Sequence, residues 1–297
     1  MKFYSRGKLL LTGEYLVLDK ASAIALPTTK GQWLDVSVSS EQSKWKSFDS
    51  DGKCWFSFEF NLADVLADRV TIQNNLEERI VNLLQEMYRI NANCFPSDNY
   101  YFTTYLEFNR NWGLGTSSTL INNLAQFANI NPYQLLQKTF GGSGYDIACA
   151  QANQPILYQN QDFQPIQIPK VLQDNLYFIY LNKKQNSREA IKHYRNLTKD
   201  KKDFINQLNS INQQFLSVEK ITEAEHLLEE HEKMISELLD QKTIKEKLFS
   251  DFNGIVKSLG AWGGDFVAVL SRNDCFSYFN SKGFKTIFTY NDLVLSN

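Results

Sequence analysis

The chain has 297 residues, of which 43% are hydrophobic and 22% are charged. A chain of this length usually folds into two domains, and this balance of residues is that of a globular protein with an apolar core. The formal net charge is -2, and the one basic cluster, at residues 199–202, is interrupted by an acid. We therefore expect no nucleic-acid partner, because proteins that bind nucleic acids usually present a basic face.

The cysteines and the N-terminal segment bear on the compartment. Four cysteines lie far apart and form no C-x-x-C pair: Cys54, Cys94, Cys149 and Cys275. This spacing predicts free thiols rather than a disulfide framework or a zinc site. The N-terminal apolar run is too short for a signal peptide, and no stretch reaches the roughly 20 apolar residues of a membrane span. We therefore expect a cytoplasmic protein without a membrane partner.

Strand patterns dominate the beginning of the chain. Residues 9–18 (LLLTGEYLVL) place apolar side chains on both sides of a Gly-Glu turn, which predicts a hairpin or a strand-turn-strand. Alternating apolar and polar side chains predict strands at 33–40, 53–62 and 100–108. Between the last two, the apolar spacing of residues 74–90 predicts a helix.

The middle of the chain is rich in glycine. A turn at 113–115 leads into a predicted helix whose start is marked by Ser and Thr, both good N-cap residues. A second glycine cluster follows at 141–144. Prolines in the Gln/Asn-rich stretch 154–170 then mark a domain junction, which gives predicted domains of residues 1–160 and 161–297.

The C-terminal half predicts a strand at 175–181 and helices through about 200–250. His226 and His231 lie five residues apart on a charged helix, and this spacing puts them on different faces and argues against a metal site. A glycine-rich loop at 260–264 leads into a buried strand, and short β-like pieces close the chain. The predicted class is α+β, with two mixed domains.

Segment 113–119 (GLGTSST) has the ingredients of a phosphate site, although neither standard phosphate-loop signature is present. Its glycines let the backbone approach a phosphate closely, and the helix that follows directs N–H groups and its positive dipole end at the anion. The hydroxyls of Thr116, Ser117 and Ser118 add donors and one candidate Mg²⁺ ligand. Taken alone, the segment fits a capped helix start at least as well.

Four motifs occur in a fixed order: GKLLLTGEYLVL at 7–18, GLGTSS at 113–118, SGYD at 143–146 and GAWGGDF at 260–266. This order and spacing resembles the GHMP kinase superfamily, named for galacto-, homoserine, mevalonate and phosphomevalonate kinases. The resemblance covers essentially the whole chain. It implies an N-terminal domain like that of ribosomal protein S5, a ferredoxin-like C-terminal domain, and an active site in the cleft between them.

The resemblance also implies a role for each motif. The residues that would wrap the phosphates of ATP are Gly113, Leu114, Gly115, Thr116, Ser117 and Ser118, and Ser117 would also help to hold Mg²⁺. Asp146 would lie next to the acceptor hydroxyl, and Lys8 would pair with that acid. These residue types suit phosphoryl transfer, which needs mainly positioning and charge stabilisation. Without the resemblance, Asp146 fits a helix cap and Lys8 a strand-edge charge.

The acceptor side looks most like that of phosphomevalonate kinases. The GEY and GGD strings resemble that family, and segment 183–191 (KKQNSREAI) resembles its acceptor loop. An Arg there suits a phosphorylated or carboxylated acceptor. The string SGYDIA also resembles a GYDIA-type group of GHMP kinases related to the mevalonate pathway. The residues assigned to the small-molecule acceptor are Glu14, Tyr15, Ser143, Gly144, Ser187, Arg188, Gly263 and Gly264.

The expected function is therefore ATP-dependent phosphorylation of mevalonate or phosphomevalonate, in the isoprenoid precursor pathway. Several positions depart from the family pattern. Asn109 replaces an expected proline, Trp262 replaces a glycine, and Leu135 and Gln137 lie where mevalonate kinases carry a second acidic Mg²⁺ ligand. Two alternatives stay open: a GHMP kinase that acts on another acceptor such as a sugar, and a non-catalytic protein of this fold that binds a ligand or partner.

Overall fold

The structure is a computed structural model that describes residues 1–296. Two compact units interleave along the chain. The first unit comprises Met1–Gly7, Lys30–Arg110 and Leu114–Gln151, and the second comprises Lys8–Thr29, Asn111–Gly113 and the described chain from Ala152 onward. The boundary near residue 160, and the likeness of the N-terminal half to ribosomal protein S5, stay predictions.

Two strands pass through both units, and three more lie in the first unit alone. Their bounds are β1 Lys2–Leu10, β2 Ala23–Val38, β3 Ser43–Phe48, β4 Cys54–Phe60 and β5 Tyr100–Leu106. In the first unit the sheet order is β4-β3-β5-β2, with β1 paired to β2. The β2–β5 pairing is antiparallel, from Gln32 opposite Leu106 to Val38 opposite Tyr100, while β3 runs parallel to β5.

The helices of the first unit are α1 Leu62–Leu66, α2 Asn75–Ile90, α3 Thr116–Ala128, α4 Pro132–Thr139 and α5 Tyr145–Gln151. Helix α2 shows why the sequence folds this way: the Asn74 side chain caps its start, and acids in its first turn complement the helix dipole. Apolar faces of these helices and of the sheet form one buried cluster, whose members include Trp45, Phe102, Leu84 and Leu124.

The second unit contains a small antiparallel extension of β2 and a separate sheet. Ala23–Ala25 pair with β6, Ile156–Gln159, which forms a hairpin with β7, Asp162–Pro165. The other strands are β8 Leu176–Tyr180, β9 Ile255–Ser258, β10 Phe266–Leu270 and β11 Ile287–Thr289. They form an antiparallel sheet in the order β11-β8-β10-β9.

The helices of the second unit connect these strands. Their bounds are α6 Lys170–Gln173, α7 Ser187–Arg195, α8 Lys202–Phe215, α9 Ile221–Leu239, α10 Ile244–Leu248, α11 Phe276–Ser281 and α12 Tyr290–Leu293. With helices after β8 and after β10, the unit has the β-α-β-β-α-β order of ferredoxin-like folds. Its apolar core includes Ile179, Phe249, Val267 and Phe279.

The predicted helix at 74–90 and the predicted strands at 100–108 and 175–181 are confirmed, as is the α+β class. The hairpin or strand-turn-strand predicted at 9–18 is wrong. The strand β1 ends at Leu10, and Leu16–Asp19 form a 3-10 turn, because Tyr15 takes a positive φ that a strand cannot continue. The C-terminal end is also more helical than predicted, since α11 and α12 flank the short strand β11.

All four cysteines have free thiols, as predicted. Within residues 1–296, no helix combines the length and the apolar character needed to cross a membrane.

Candidate active site

The start of α3 is the structural feature that most resembles a phosphate-binding site. Gly115 occupies the N-cap position with φ 95°, a left-handed conformation that favours glycine, so the predicted Ser or Thr cap is wrong. No side chain caps this end. The N–H groups of the first turn, residues 116–118, have no acceptor within the helix. Helix α3 also lacks charged residues, so its dipole is not offset near this end.

The three predicted hydroxyl donors of this turn differ in exposure. Ser117 is exposed, and Thr116 is half-buried. Ser118 is only 2% exposed, and its hydroxyl donates to the Gly115 carbonyl at 2.9 Å. Leu114 is completely buried and anchors the loop. Ser117 is therefore the hydroxyl best placed to bind a metal ion or a phosphate oxygen.

A buried polar network fixes α3 within the first unit. The Asn123 amide donates to the Gln32 carbonyl at 2.9 Å, and its oxygen accepts from the Ser5 hydroxyl at 2.7 Å. Asn122 donates to the same hydroxyl at 2.9 Å and accepts from Gln151 at 3.0 Å. These bonds join α3 to β1, β2 and α5. A fully satisfied buried network of this kind fixes one geometry.

Helix α5, which packs on α3, carries Asp146 in its first turn. It follows the loop of Ser143 and Gly144, and the Gly144 carbonyl accepts the first helical hydrogen bonds, from Ile147 and Ala148. The Gln137 amide in α4 holds this loop through the Gly142 carbonyl at 3.1 Å. The structure thus brings the predicted phosphate turn and the predicted catalytic acid onto two packed helices of one unit.

Lys8 and Gly113 lie together in the second unit. The Lys8 ammonium donates to the Gly113 carbonyl at 2.9 Å. A Cβ on Gly113 would lie 2.3 Å from the Asp265 carboxylate, closer than atoms can approach, so any larger residue there would force the carboxylate to move. Burial raises the pKa of Asp265, although the Gln185 backbone N–H at 3.1 Å and the Lys8 and Lys184 charges oppose this shift. Asp265 was not among the residues predicted for the site.

The GEY segment and the last glycine-rich loop are also neighbours in the second unit. The Tyr15 hydroxyl donates to the Ala261 carbonyl at 2.9 Å, and its ring stacks on Tyr194 with centroids 5.2 Å apart. The Gln185 amide donates to the carbonyls of Ala261 and Trp262, which holds the loop that contains Gly263 and Gly264. Trp262 has a positive φ of 51° and is buried.

Two predicted acceptor residues begin helix α7. Ser187 is its first residue and Arg188 its second, and both are exposed. The helix is capped by Asn186, whose side chain accepts from the Arg188 N–H at 3.2 Å. The Ser187 hydroxyl is therefore not the cap.

Glu14 lies in the interior of the second unit. It is completely buried, contacts the Lys257 ammonium, and has its second oxygen 3.3 Å from His231. Burial raises its pKa to about 7, with Lys257 opposing the shift. Sequence reasoning missed both partners. His231 lies on the apolar stripe of α9, four residues after Leu227, and Lys257 interrupts an apolar strand, and these patterns could have revealed them.

The comparisons with known proteins rest on structure. No protein-family model and no curated protein matches the sequence. The Methanococcus jannaschii mevalonate kinase is similar over 100% of this chain and 98% of its own, with a TM-score of 0.70 and 14% identity. The Lactococcus lactis galactokinase, solved with galactose, gives a TM-score of 0.71 at 15% identity, covering 99% of this chain and 93% of its own.

A third structure, the Streptococcus pneumoniae phosphomevalonate kinase in complex with phosphomevalonate and AMPPNP, covers 100% of this chain and 98% of its own. Its TM-score is 0.67 and its identity 17%. The chain has the fold of the GHMP kinases. The resemblance seen in the four motifs is thereby confirmed for the GHMP fold, over nearly the full length of proteins that differ in their acceptors.

Proposed function

We propose that this protein is an ATP-dependent kinase that transfers the γ-phosphate of ATP to mevalonate or phosphomevalonate. The observation that carries the proposal is the uncapped, uncharged start of α3 after Gly115, held by buried hydrogen bonds against the helix that carries Asp146. The GHMP fold supports the proposal, because two proteins with similar structures are named mevalonate kinase and phosphomevalonate kinase.

In this proposal the phosphates of ATP lie on the first turn of α3. The N–H groups of residues 116–118 and the helix dipole supply sequence-independent anion binding. Gly115, with a positive φ, keeps the backbone free of a side chain where the phosphates approach. Thr116 and Ser117 add hydroxyl donors from the surface of the same turn.

The residues of the first unit fit a Mg²⁺ ion that arrives with the nucleotide. Mg²⁺ keeps several waters and binds nucleotide phosphates with few protein ligands. Ser117 offers an exposed hydroxyl for this purpose. The second family ligand has no counterpart in α4, because Leu135 lies in the core and Gln137 bonds the Gly142 carbonyl. When bound, Mg²⁺ would offset the charge of the phosphates.

Asp146 and Lys8 are proposed to act on the acceptor and on the transferred group. The acceptor oxygen, a hydroxyl of mevalonate or a phosphate oxygen of phosphomevalonate, attacks the γ-phosphorus, and the bond from that phosphorus to ADP breaks as ADP leaves. With mevalonate, the hydroxyl proton passes to the Asp146 carboxylate; with phosphomevalonate, no proton is transferred. Lys8 offsets negative charge that develops during the transfer. Phosphoryl transfer needs little more than this positioning and charge compensation.

An anionic acceptor is favoured by the charges around the proposed acceptor loop. Lys183, Lys184 and Arg188 are all exposed on the segment that the Gln185 amide ties to the last glycine-rich loop. Guanidinium and ammonium groups pair readily with carboxylate or phosphate. A sugar acceptor is the second candidate, because a galactokinase has a similar structure and Trp262 changes the last motif.

The test is a coupled ADP-release assay with ATP and Mg²⁺, run in parallel with mevalonate, phosphomevalonate and galactose. We expect turnover with one of the two anionic acceptors. With mevalonate, whose hydroxyl must lose a proton, Asp146→Asn should lower kcat by about 100-fold or more, the usual contribution of general-base catalysis. The matched control is Asp98→Asn, at an exposed acid of the same unit, which should retain wild-type activity.

Lys8→Met should also lower kcat, and Lys2→Met is its control, since Lys2 lies on the same strand with a 73% exposed side chain. Turnover of galactose alone would shift the proposal to the sugar acceptor. If ADP is released with none of the three acceptors and the protein does not bind AMPPNP, only the non-catalytic alternative is left.

A further inference from the structure

A group of ionisable side chains lies in the interior of the second unit, outside the residues assigned to phosphate transfer. We call Glu14, His231, Glu232 and Lys257 the Glu14 cluster. All four are at most 3% exposed. Lys257 contacts one oxygen of Glu14 and donates to the Ser258 carbonyl at 2.8 Å. His231 Nε2 lies 3.3 Å from the other Glu14 oxygen.

Stability does not explain why the chain keeps these charges. Enclosing ions costs desolvation energy that their attraction often only offsets, and apolar replacements of similar volume are frequently as stable. The best-attested use of such buried groups is to fix one specific geometry. The segment whose geometry the cluster can fix is Gly13–Tyr15, because Glu14 belongs to it.

This segment has an unusual backbone. Tyr15 has φ 62° and ψ -49°, and the Leu16 N–H donates to the Glu14 carbonyl at 2.7 Å, which closes a γ-turn. A γ-turn with positive φ is rare and strained for a residue with a side chain. Such strain persists only where the surroundings determine the conformation, and it concentrates at functional sites.

The cluster contacts two consecutive residues of the Gly13–Tyr15 segment. The Gly13 N–H donates to His231 Nε2 at 3.2 Å, and the Glu14 carboxylate contacts Lys257. On the far side, the Tyr15 hydroxyl donates to the Ala261 carbonyl at 2.9 Å. Lys257 lies on β9, a few residues before Ala261, so the same short stretch of chain holds both sides of the turn.

Burial also sets the protonation of the cluster. It raises the pKa of Glu14 to about 7 and that of Glu232 above its usual value, and it holds the pKa of His231 well below the usual value. The charge of Lys257 acts against the shifts of both acids and lowers the pKa of His231 further. A neutral imidazole has one nitrogen that can accept a hydrogen bond, and His231 Nε2 accepts the Gly13 N–H.

We propose that His231 and Lys257 are positioning residues that lock the Gly13–Tyr15 segment, with the γ-turn centred on Tyr15, and thereby shape the acceptor side of the site. The part that concerns the acceptor rests on the proposed kinase function. The locking of the turn does not, because it follows from contacts within the second unit alone.

The test compares three variants of the full chain by hydrogen exchange and by steady-state kinetics. His231→Leu removes the acceptor for the Gly13 N–H at nearly constant volume, whereas His231→Gln retains a hydrogen-bond acceptor. Glu232→Gln is the control, since Glu232 lies in the same cluster but bonds Ser258 and Ile244 rather than the turn. Exchange is followed in peptides that cover residues 13–19 and 255–259.

We expect His231→Leu to speed hydrogen exchange at residues 13–19 by about tenfold, as the loss of one hydrogen bond would. The same variant should raise the KM for the acceptor by a similar factor. Its KM for ATP should stay within twofold of wild type. His231→Gln should return the exchange rate and the acceptor KM towards their wild-type values. Glu232→Gln should leave exchange at 13–19 and the acceptor KM within twofold of wild type. Exchange at 13–19 that stays within twofold of wild type in His231→Leu would overturn the proposal. If no acceptor is turned over, the kinase proposal fails, and the exchange result still decides whether the turn is locked.

Discussion

Replacing Gly113 with alanine tests the packing of the glycine-rich turn on Asp265. The alanine would keep φ near 68°, a left-handed conformation that costs about 1–2 kcal/mol for a residue with a side chain. Its Cβ would lie 2.3 Å from the Asp265 carboxylate, which would have to move. Movement breaks the hydrogen bond from the Gln185 N–H, at a further cost of about 1.5–3 kcal/mol for a charged acceptor. The expected loss of unfolding free energy is about 2.5–5 kcal/mol.

The matched control is Gly141→Ala. Gly141 has nearly the same φ, 67°, but no atom lies within 4 Å of its would-be Cβ. This variant should lose only the conformational part, about 1–2 kcal/mol. Urea denaturation of both variants measures the difference. In an Asp265→Ala background, Gly113→Ala should cost no more than Gly141→Ala. Equal losses for the two single variants in the native background would refute the packing argument.

Three further predictions concern other parts of the site. Ser117→Ala should leave the urea midpoint unchanged, because the side chain is exposed, but raise the Mg²⁺ concentration needed for half-maximal activity; an unchanged requirement would exclude Ser117 as a ligand. Asn123→Leu should lower the unfolding free energy by about 2–4 kcal/mol, because Ser5 and Gln32 lose buried partners, whereas an exposed-site Asn93→Leu should change it little. Burial raises the pKa of Glu14 from its usual 4.5 to about 7, so the folded state holds a proton that the unfolded state releases. The stability of wild type relative to Glu14→Gln should therefore be greatest near pH 4.5 and fall towards pH 7, by up to about 1.4 kcal/mol per unit, and a difference independent of pH would contradict this.

The sequence predicts the parts of this fold that local patterns encode. Helix α2 and the strands β5 and β8 follow from apolar periodicity, because each buries one face in a core. The segment at 9–18 could not be predicted this way. Its apolar residues have the pattern of a hairpin, but the Glu14 side chain is drawn inward by Lys257, which lies 243 residues away in the chain. Only the tertiary fold brings these residues together.

The same distinction between local patterns and tertiary contacts applies to the candidate site. The motifs locate the phosphate turn, Asp146 and Lys8, since each motif is a local string of residues. They do not reveal which residues hold those strings in place. Asn123, Gln185 and His231 are ordinary polar residues in sequence, and their roles depend on burial and on partners from distant elements. The spacing of His226 and His231 argues only against a metal site, whereas the place of His231 on the apolar stripe of α9 predicts its burial, which the structure shows.

Two of the motifs contain departures from what local stability favours. In GLGTSS, helix α3 begins without a side-chain cap. In GKLLLTGEYLVL, Tyr15 takes a strained positive φ, and Glu14 is buried among three further ionisable groups. A natural chain keeps such local conflicts mainly where function requires them, because elsewhere selection can remove them without loss. Both departures lie where the proposed function has ATP and the acceptor bind, so they favour a site that is in use over a fold that is only inherited.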